Sequence, residues 1–420
     1  MEKTTLEMVH EVYKKWLYIE DLGRVDVLLA VALSRTQKGV PLWLFLVGAS
    51  GDMKSEQINA LTNPDHTFQL NQLTSKTLVS GNPLVKDLAP ELNGKLILTN
   101  DMAAMLELRS EEKAEIWAQL RDLYDGIAGK CSGTGKISRY TDIFVTWIAG
   151  STPHIDHQIL IHQTLGTREL IYRTKEKEEI LKLMQRIMEN SEKLEMMRAE
   201  LKYITGTFLR NKEYKDREIN EQVMEKLFKW SEYVCYMRAM AESDAFSGEL
   251  LRDVTPEMPT RILQQLTRLY KSLMSLEDNY TDERALKIIE HVAKSSIFPI
   301  RVKVLDYLIK NPYEHTLSNV AKYLKIGKKT TYRELNILWN MNLIFRREEE
   351  VFFGMNKDIK TEKEIYYFSI NSNHPFIQKM IEDKGDLLNV ELPEKENEES
   401  KLEENKEELE TERIKIRNSD

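Results

Sequence analysis

Apolar residues recur at three- and four-residue spacing through MVHEVYKKWLYIE and VDVLLAVALSRT, a period that predicts helices across residues 1–40. The period then changes. LWLFLV (42–47), KLILTN (95–100) and IFVTWIAG (143–150) are apolar runs closed by glycine or asparagine, and each predicts a buried strand. HTFQLNQ is a further candidate strand and KTLVSG a loop, while AAMLELRSEEKAEIWAQLRDLYDG predicts one helix ended at Gly126. Strand and helix therefore alternate over residues 41–173, as in an α/β domain. Residues 174–294 carry helical periodicity almost throughout, the longest stretch being TKEKEEILKLMQRIMENSEKLEMMRAELKYI, whose methionines read as core filler. A compact module follows at 295–372, and 373–420 reads as a helix running into EKENEESKLEENKEELETER, a charged tail that is disordered or a solvated helix.

The first buried strand leads straight into candidate chemistry. Gly48, four residues, then Met53, Lys54 and Ser55 match the phosphate-binding loop G-x-x-x-x-G-K-[ST] except that methionine replaces the second glycine. In such a loop backbone N–H groups cradle phosphates as the chain enters a helix, the lysine reaches the terminal phosphates, and the serine hydroxyl ligates Mg²⁺. Gly48, Gly51, Asp52, Met53, Lys54 and Ser55 are thus the candidate nucleotide-binding residues, with ATP and Mg²⁺ as the ligands. A β-carbon at position 53 restricts the backbone but removes no phosphate-binding group.

Composition narrows the setting. At 420 residues with 41% hydrophobic and 30% charged residues, the chain has room for two or three domains and reads as soluble. No uncharged apolar run of about 18 residues and no signal-like N-terminal segment appears, so a cytoplasmic protein without a membrane partner is expected. Cys131 and Cys235 are too few for a disulfide framework, and His154, His157 and His162 lack the ligand set of a zinc site. The net charge of −8 is concentrated in residues 391–420, which hold −6, so it says little about the folded part.

A second strand places an acid where a nucleotide enzyme needs one. KLILTN ends at Asn100 and Asp101, and Asp101 is placed to hold Mg²⁺ or polarise water. It is equally a plausible N-cap for the helix that follows; Glu107 is a weaker second acid. WIAGSTPHID then ends an apolar strand in Ser151, Thr152 and Pro153. These residues resemble the AAA+ superfamily, in which a polar residue at the tip of the fourth core strand senses the terminal phosphate. The arrangement is similar to that of the minichromosome-maintenance replicative helicases and their mobile-element relatives. Those helicases also carry a non-glycine residue before the Lys-Ser, and their sensor reads Asn-Pro where Thr152-Pro153 stands here.

The resemblance covers about residues 20–290 and implies a three-layer P-loop core with an all-helical lid. It implies Thr152 as sensor and an arginine finger reaching a neighbouring subunit's phosphate, for which Arg168 is a better candidate than Arg173. Arg261, near Glu257, would close the lid like the second sensor. A finger and a site on different subunits imply self-association into a ring or filament, hexameric in most AAA+ relatives.

Two segments point to DNA. GIAGKCSGTGKISRYTD predicts a β-hairpin whose glycine-rich tip is flanked by Lys130 and Lys136, with Arg139 beyond; relatives use a hairpin here to grip the DNA backbone, and a solvated hairpin is the alternative. Residues 295–371 carry a net +4 and read as helix, helix, turn, helix and two strands, the winged helix-turn-helix order. Lys328, Lys329, Thr330, Thr331, Arg333 and Asn336 open the third helix as candidate groove contacts, and Arg346 and Arg347 begin the wing. Such modules also dock proteins, as the acidic tail could, and Glu348–Glu350 would repel phosphate. The expected function is an ATP-dependent oligomeric motor on DNA, a helicase or loader in mobile-element replication; the alternatives are an ATP-gated DNA-binding regulator with little hydrolysis, or a protein remodeller.

Overall fold

A computed structural model describes residues 4–17, 19–133, 135–156, 168–174, 184–185, 188–240, 250–353 and 361–382. The chain divides into two compact units, one of Met1–Met240 with Thr255–Pro299 and one of Ala241–Val254 with Ile300–Asp420. In chain order the first unit has helices α1 (Leu6–Trp16) and α2 (Gly23–Ser34), then β1 (Trp43–Val47), α3 (Lys54–Ala60), β2 (Thr67–Gln69) and β3 (Leu96–Thr99). There follow α4 (Ala103–Leu106), α5 (Ser110–Tyr124), a hairpin of β4 (Ala128–Cys131) and β5 (Ile137–Tyr140), then β6 (Thr146–Ser151) and β7 (Leu170–Arg173). Helices α6 (Leu194–Arg210), α7 (Glu221–Arg238), α8 (Thr260–Met274) and α9 (Asp282–Ser295) complete it.

Five strands form a parallel sheet in the order β2-β3-β6-β1-β7, so the unit is mixed α/β. Every residue of β1, β3 and β6 is buried, which is why these runs are apolar throughout instead of alternating. The register sets Trp43 opposite Trp147, with rings edge to face at 5.0 Å. Their indole N–H groups donate to the Val145 carbonyl and the Thr99 hydroxyl, both at 3.0 Å, so neither aromatic is buried with an idle donor.

Helix α2 is buried at every residue from Arg24 to Ser34. A helix apolar on nearly all sides has to be covered on all sides, and α8 and β6 pack against it. The single helix expected before Gly126 is two. The chain leaves helical geometry between Leu106 and Ser110, and Lys113 of α5 folds back to donate to the Leu106 carbonyl at 2.7 Å, satisfying an end that α4 leaves open.

The second unit holds α10 (Pro299–Lys310), β8 (His315–Thr316), α11 (Leu317–Leu324), α12 (Lys328–Asn340), β9 (Ile344–Phe353), β10 (Thr361–Ile370) and α13 (Pro375–Glu382). Thr316 caps α11 by accepting from the Asn319 N–H. The left-handed residue that ends α11 is Lys325, and Gly327 stands immediately before α12. Strands β9 and β10 pair antiparallel from Ile344↔Ile370 to Phe353↔Thr361, and the short β8, which sequence pattern missed, adds a third strand beside β10. A buried ion pair, Arg301 to Glu334 at 2.9 Å, joins α10 to α12.

Candidate nucleotide-binding site

The chain leaves the sheet at Gly48, between two parallel neighbours that pair Val47 with Ser151 and with Arg173. The Gly48 N–H donates to the Ser151 carbonyl at 3.2 Å. A β-carbon at Gly48 would come within 2.0 Å of Thr174 Oγ1 and 2.9 Å of Asp52 Oδ2, so no side chain fits there. Gly51 has φ +79° and Met53 φ 56°, ψ 18°. The methionine thus takes the left-handed conformation that glycine favours, at a cost of about 1–2 kcal/mol for a residue with a β-carbon. Lys54 is buried, and its ammonium donates to the Gly48 carbonyl at 2.9 Å and the Ala49 carbonyl at 2.6 Å. It therefore lies folded across the loop, while Ser55 is exposed.

Two backbone hydrogen bonds tie the neighbouring strand ends to this loop. Besides Gly48 to Ser151, the Met102 N–H donates to the Gly150 carbonyl at 2.9 Å. Position 150 must be glycine for that approach, since a β-carbon would lie 2.5 Å from the Asn100 carbonyl. The ends of β1, β6 and β3 are consequently one edge, and it carries the phosphate-type loop, Thr152 and Asp101. This is the carboxyl edge of a parallel sheet, where ligands of open α/β sheets bind. Asp101 is exposed and its Oδ1 accepts from the Ala103 N–H at 2.9 Å; it stands one residue before the helix N-cap, which is Met102 and not Asp101. Asn100 Oδ1 is buried beside it without a hydrogen-bond partner among the described residues.

Sequence reading missed two buried charged groups on α2. Arg24 of α2 donates from Nη1 to Asp52 Oδ2 and from Nη2 to the Asp52 carbonyl, both at 2.9 Å, and both side chains are buried. Burial pulls the Arg24 guanidinium below its ordinary value, and the Asp52 carboxylate beside it works the other way. Removing one partner from such a pair costs about 3–5 kcal/mol. Two residues along, Asp26 accepts from His10 Nε2 (2.7 Å), Tyr280 Oη (2.6 Å) and Arg284 Nη2 (2.7 Å), joining α1 and α9 to α2. The available signal was a pair of charges inside an otherwise apolar helix, because buried charges must be paired.

The arginines divide between the two ends of the sheet. Arg168 stands two residues before Leu170, which pairs with Leu44, so it lies about 20 Å along the strand direction from Gly48. It donates to Asp125 at 2.8 Å and lies over the Tyr124 ring, while Gln265 of α8 donates to the Arg168 carbonyl at 2.6 Å and the Tyr124 hydroxyl at 2.8 Å. Burial pushes the Tyr124 phenol up, against the nearby charges of Arg261 and Arg168. Arg261, expected to close the lid, therefore belongs to the Arg168 neighbourhood, and it pairs with Glu257 at 3.9 Å. Arg173 is at the loop end instead, held by both oxygens of Asp156 at 2.6 and 2.9 Å.

The residues expected to meet DNA fare unevenly. The hairpin forms as expected from β4 and β5. Lys136, however, donates to Asp87 at 2.9 Å and to the Asn82 and Val85 carbonyls, and Lys130 pairs with Glu115 at 2.9 Å. Burial opposes the Asp87 charge, but hydrogen bonds from Ser138, Lys136, the Ser80 N–H and Tyr140 outweigh it and hold the carboxyl well below the usual carboxylate range. In the second unit Lys328 and Lys329 are exposed at the start of α12. Thr331 is fully buried and donates to the Gly327 carbonyl, so it faces the core and cannot reach a groove; Asn336 is buried as well. Arg333 pairs with Glu334, and Arg347 with Glu314 and Glu349. Arg346 is stacked between Trp339 (3.8 Å) and Tyr366 (4.7 Å).

His154 is exposed, and His157 and His162 lie outside the described residues. Among the described residues no group of three or more His, Cys, Asp or Glu gathers as a metal site, and no helix is long and apolar enough to cross a membrane.

No protein-family model matches the chain, and no curated protein matches it. Among solved structures it is similar to a full-length MCM homolog from Methanopyrus kandleri, with 15% identity and a TM-score of 0.39, over 69% of this chain and 59% of that one. The chain thus spans less than two thirds of that protein, and a likeness this distant says nothing about chemistry.

Proposed function

We propose that the chain is an AAA+ ATPase that acts on DNA as an oligomeric motor, a helicase or loader of the kind found in mobile elements. The observation that carries this reading is the shared strand edge: backbone hydrogen bonds from Gly48 to Ser151 and from Met102 to Gly150 join the ends of β1, β6 and β3, beyond which the loop of Gly48–Lys54, Thr152 and Asp101 follow in sequence. ATP with Mg²⁺ fits the residues present: Lys54 already satisfies itself on loop carbonyls that a phosphate oxygen would replace, Ser55 and Asp101 are exposed oxygen donors for Mg²⁺, and Asn100 Oδ1 is a buried acceptor in need of a donor. When bound, ATP supplies the phosphoanhydride to be cleaved and Mg²⁺ neutralises its charge. With the nucleotide bound, Lys54 would exchange the loop carbonyls for phosphate oxygens, Asp101 would hold Mg²⁺ or polarise water, and Thr152 would contact the terminal phosphate.

The distance between Arg168 and the chain's own loop argues that Arg168 serves a neighbour's site. Arg261, sharing the Tyr124 neighbourhood, faces the same neighbour. A head-to-tail ring or filament follows, a hexamer being the closed form. The second unit, where helices α10, α11 and α12 precede the paired strands β9 and β10 and α12 has a basic start, is read as a winged helix that touches DNA through Lys328 and Lys329; the lid is read in α6–α9. Asn100 in place of a second carboxylate favours one alternative, an ATP-gated DNA-binding regulator with slow turnover.

ATP hydrolysis with and without DNA tests the reading. Lys54→Ala should abolish it, and Arg168→Ala should abolish it separately. Mixing the two inactive proteins should restore part of the activity, because intact loops then meet intact fingers. Turnover unchanged by Lys54→Ala would sink the site, no recovery at any mixing ratio would sink the shared-site geometry, and nucleotide binding without DNA-stimulated turnover would select the regulator.

A further inference from the structure

Asp52 is the acidic residue of the loop, and its carboxylate is turned inward beneath Gly48, where it is shut off from water. An ionised carboxylate in that position repels the phosphates that the proposed function places on the loop, and a low-dielectric setting strengthens the repulsion. Arg24 answers it twice, with one bond to the carboxylate and one to the Asp52 carbonyl, so it neutralises the charge and fixes the backbone of the loop together. Its footing is rigid. The far end of α2 is held by Arg268 of α8, which donates to the Ser34 carbonyl at 2.8 Å and to the Gln37 carbonyl. The middle is held by the bonds of Asp26 to His10, Tyr280 and Arg284.

We propose that Arg24 is a positioning residue for the phosphate loop: by clamping Asp52 it sets the loop's affinity for the triphosphate of a nucleotide, without touching the nucleotide. The inference rests on the nucleotide reading of the loop. A group on a supporting helix that holds a binding constellation in shape is a general requirement for tight sites, and here the support also removes a like charge.

The test is calorimetric titration of the full chain with Mg²⁺-ATP, alongside urea unfolding. Arg24→Met alone takes away the guanidinium that answers the buried Asp52 carboxylate, so the decisive variant is Arg24→Met with Asp52→Asn, which removes both charges and keeps a polar side chain in the loop. It should unfold close to the wild-type urea midpoint and yet bind ATP about tenfold more weakly or worse, since the clamp is gone although the charge is balanced. Arg24→Lys keeps the charge but cannot make both bonds, and should fall between the two. Binding by the double variant within twofold of wild type overturns the proposal. Should the double variant not fold, Arg24→Lys decides, and wild-type affinity there overturns it. Lys54→Ala separates the two readings: ATP binding that survives this change refutes the loop itself, whereas binding lost with Lys54→Ala but indifferent to Arg24 refutes only the clamp.

Discussion

Replacing Met53 by alanine and by glycine in parallel tests whether the loop truly follows a left-handed path at this residue. Alanine keeps the β-carbon and removes the rest of a half-buried side chain, and glycine then removes the β-carbon alone. At an ordinary helical position the second step destabilises by about 0.5–1 kcal/mol, because glycine has more chain freedom to lose. With φ 56° and ψ 18° at Met53 the step also relieves the clash of a β-carbon with the following carbonyl, about 1–2 kcal/mol. The net sign therefore reverses, and the glycine variant should be more stable than the alanine variant by about 0.5–1 kcal/mol. Valine, branched at the β-carbon, should be the least stable of the three. Urea unfolding followed by the near-ultraviolet signal of the first unit, where Trp43 and Trp147 meet edge to face, reports this difference. ATP titration should give the glycine variant an affinity equal to or better than wild type, since the backbone path is unchanged. A glycine variant less stable than the alanine variant would refute the left-handed assignment, and with it the claim that methionine here preserves the loop.

Asp87→Asn leaves the ammonium of Lys136 without its carboxylate in a site where the lysine side chain is only 19% exposed, and should destabilise the first unit by about 2 kcal/mol in urea unfolding. Fast exchange of the Ser138 and Tyr140 amides should accompany it. In the second unit His315 is buried; its Nε2–H donates to the Asn311 carbonyl, so Nδ1 accepts from the Tyr307 hydroxyl, the neutral tautomer. Burial holds the imidazole below its ordinary value, and the bond to Asn311 only partly opposes this. The unfolded chain then binds the proton more readily than the folded one, so stability from this group is complete above about pH 6.5 and is lost as pH falls through the folded value. Unfolding of wild type against His315→Gln between pH 8 and 5 should show the wild type losing ground on the acid side, and parallel curves would contradict the assignment.

Much of the fold was legible in the chain because the sheet is parallel and covered on both faces. Strands such as Trp43–Val47 and Thr146–Ser151 have no solvent side, so they stand out as unbroken apolar runs. The glycine and lysine spacing after β1 could be read from the chain, but what excludes a side chain at Gly48 is chiefly Thr174, far along the sequence. Charge is where local reading failed. Lys136, Arg333 and Arg347 looked like phosphate ligands, but each found a carboxylate distant in sequence or beside it on the helix. Thr331 looked exposed at a helix start and is buried. The chain also breaks between α4 and α5, where Lys113 donates to the Leu106 carbonyl, a break the apolar periodicity does not mark.

By itself, then, the sequence determined the alternation of buried strands and helices, the glycine and lysine spacing after the first strand and the basic character of residues 295–371, all properties of local pattern and covalent geometry. Only the tertiary structure decided which strand ends share an edge, that Arg168 and Arg261 stand together far from the chain's own loop, and that Arg24 reaches under Asp52. The physical reason is range. Periodicity and loop sterics act over a few residues, whereas the partner of a buried charge is chosen by whatever the fold brings within hydrogen-bond distance, here across 28 residues for Arg24 and Asp52 and 254 for Asp26 and Tyr280.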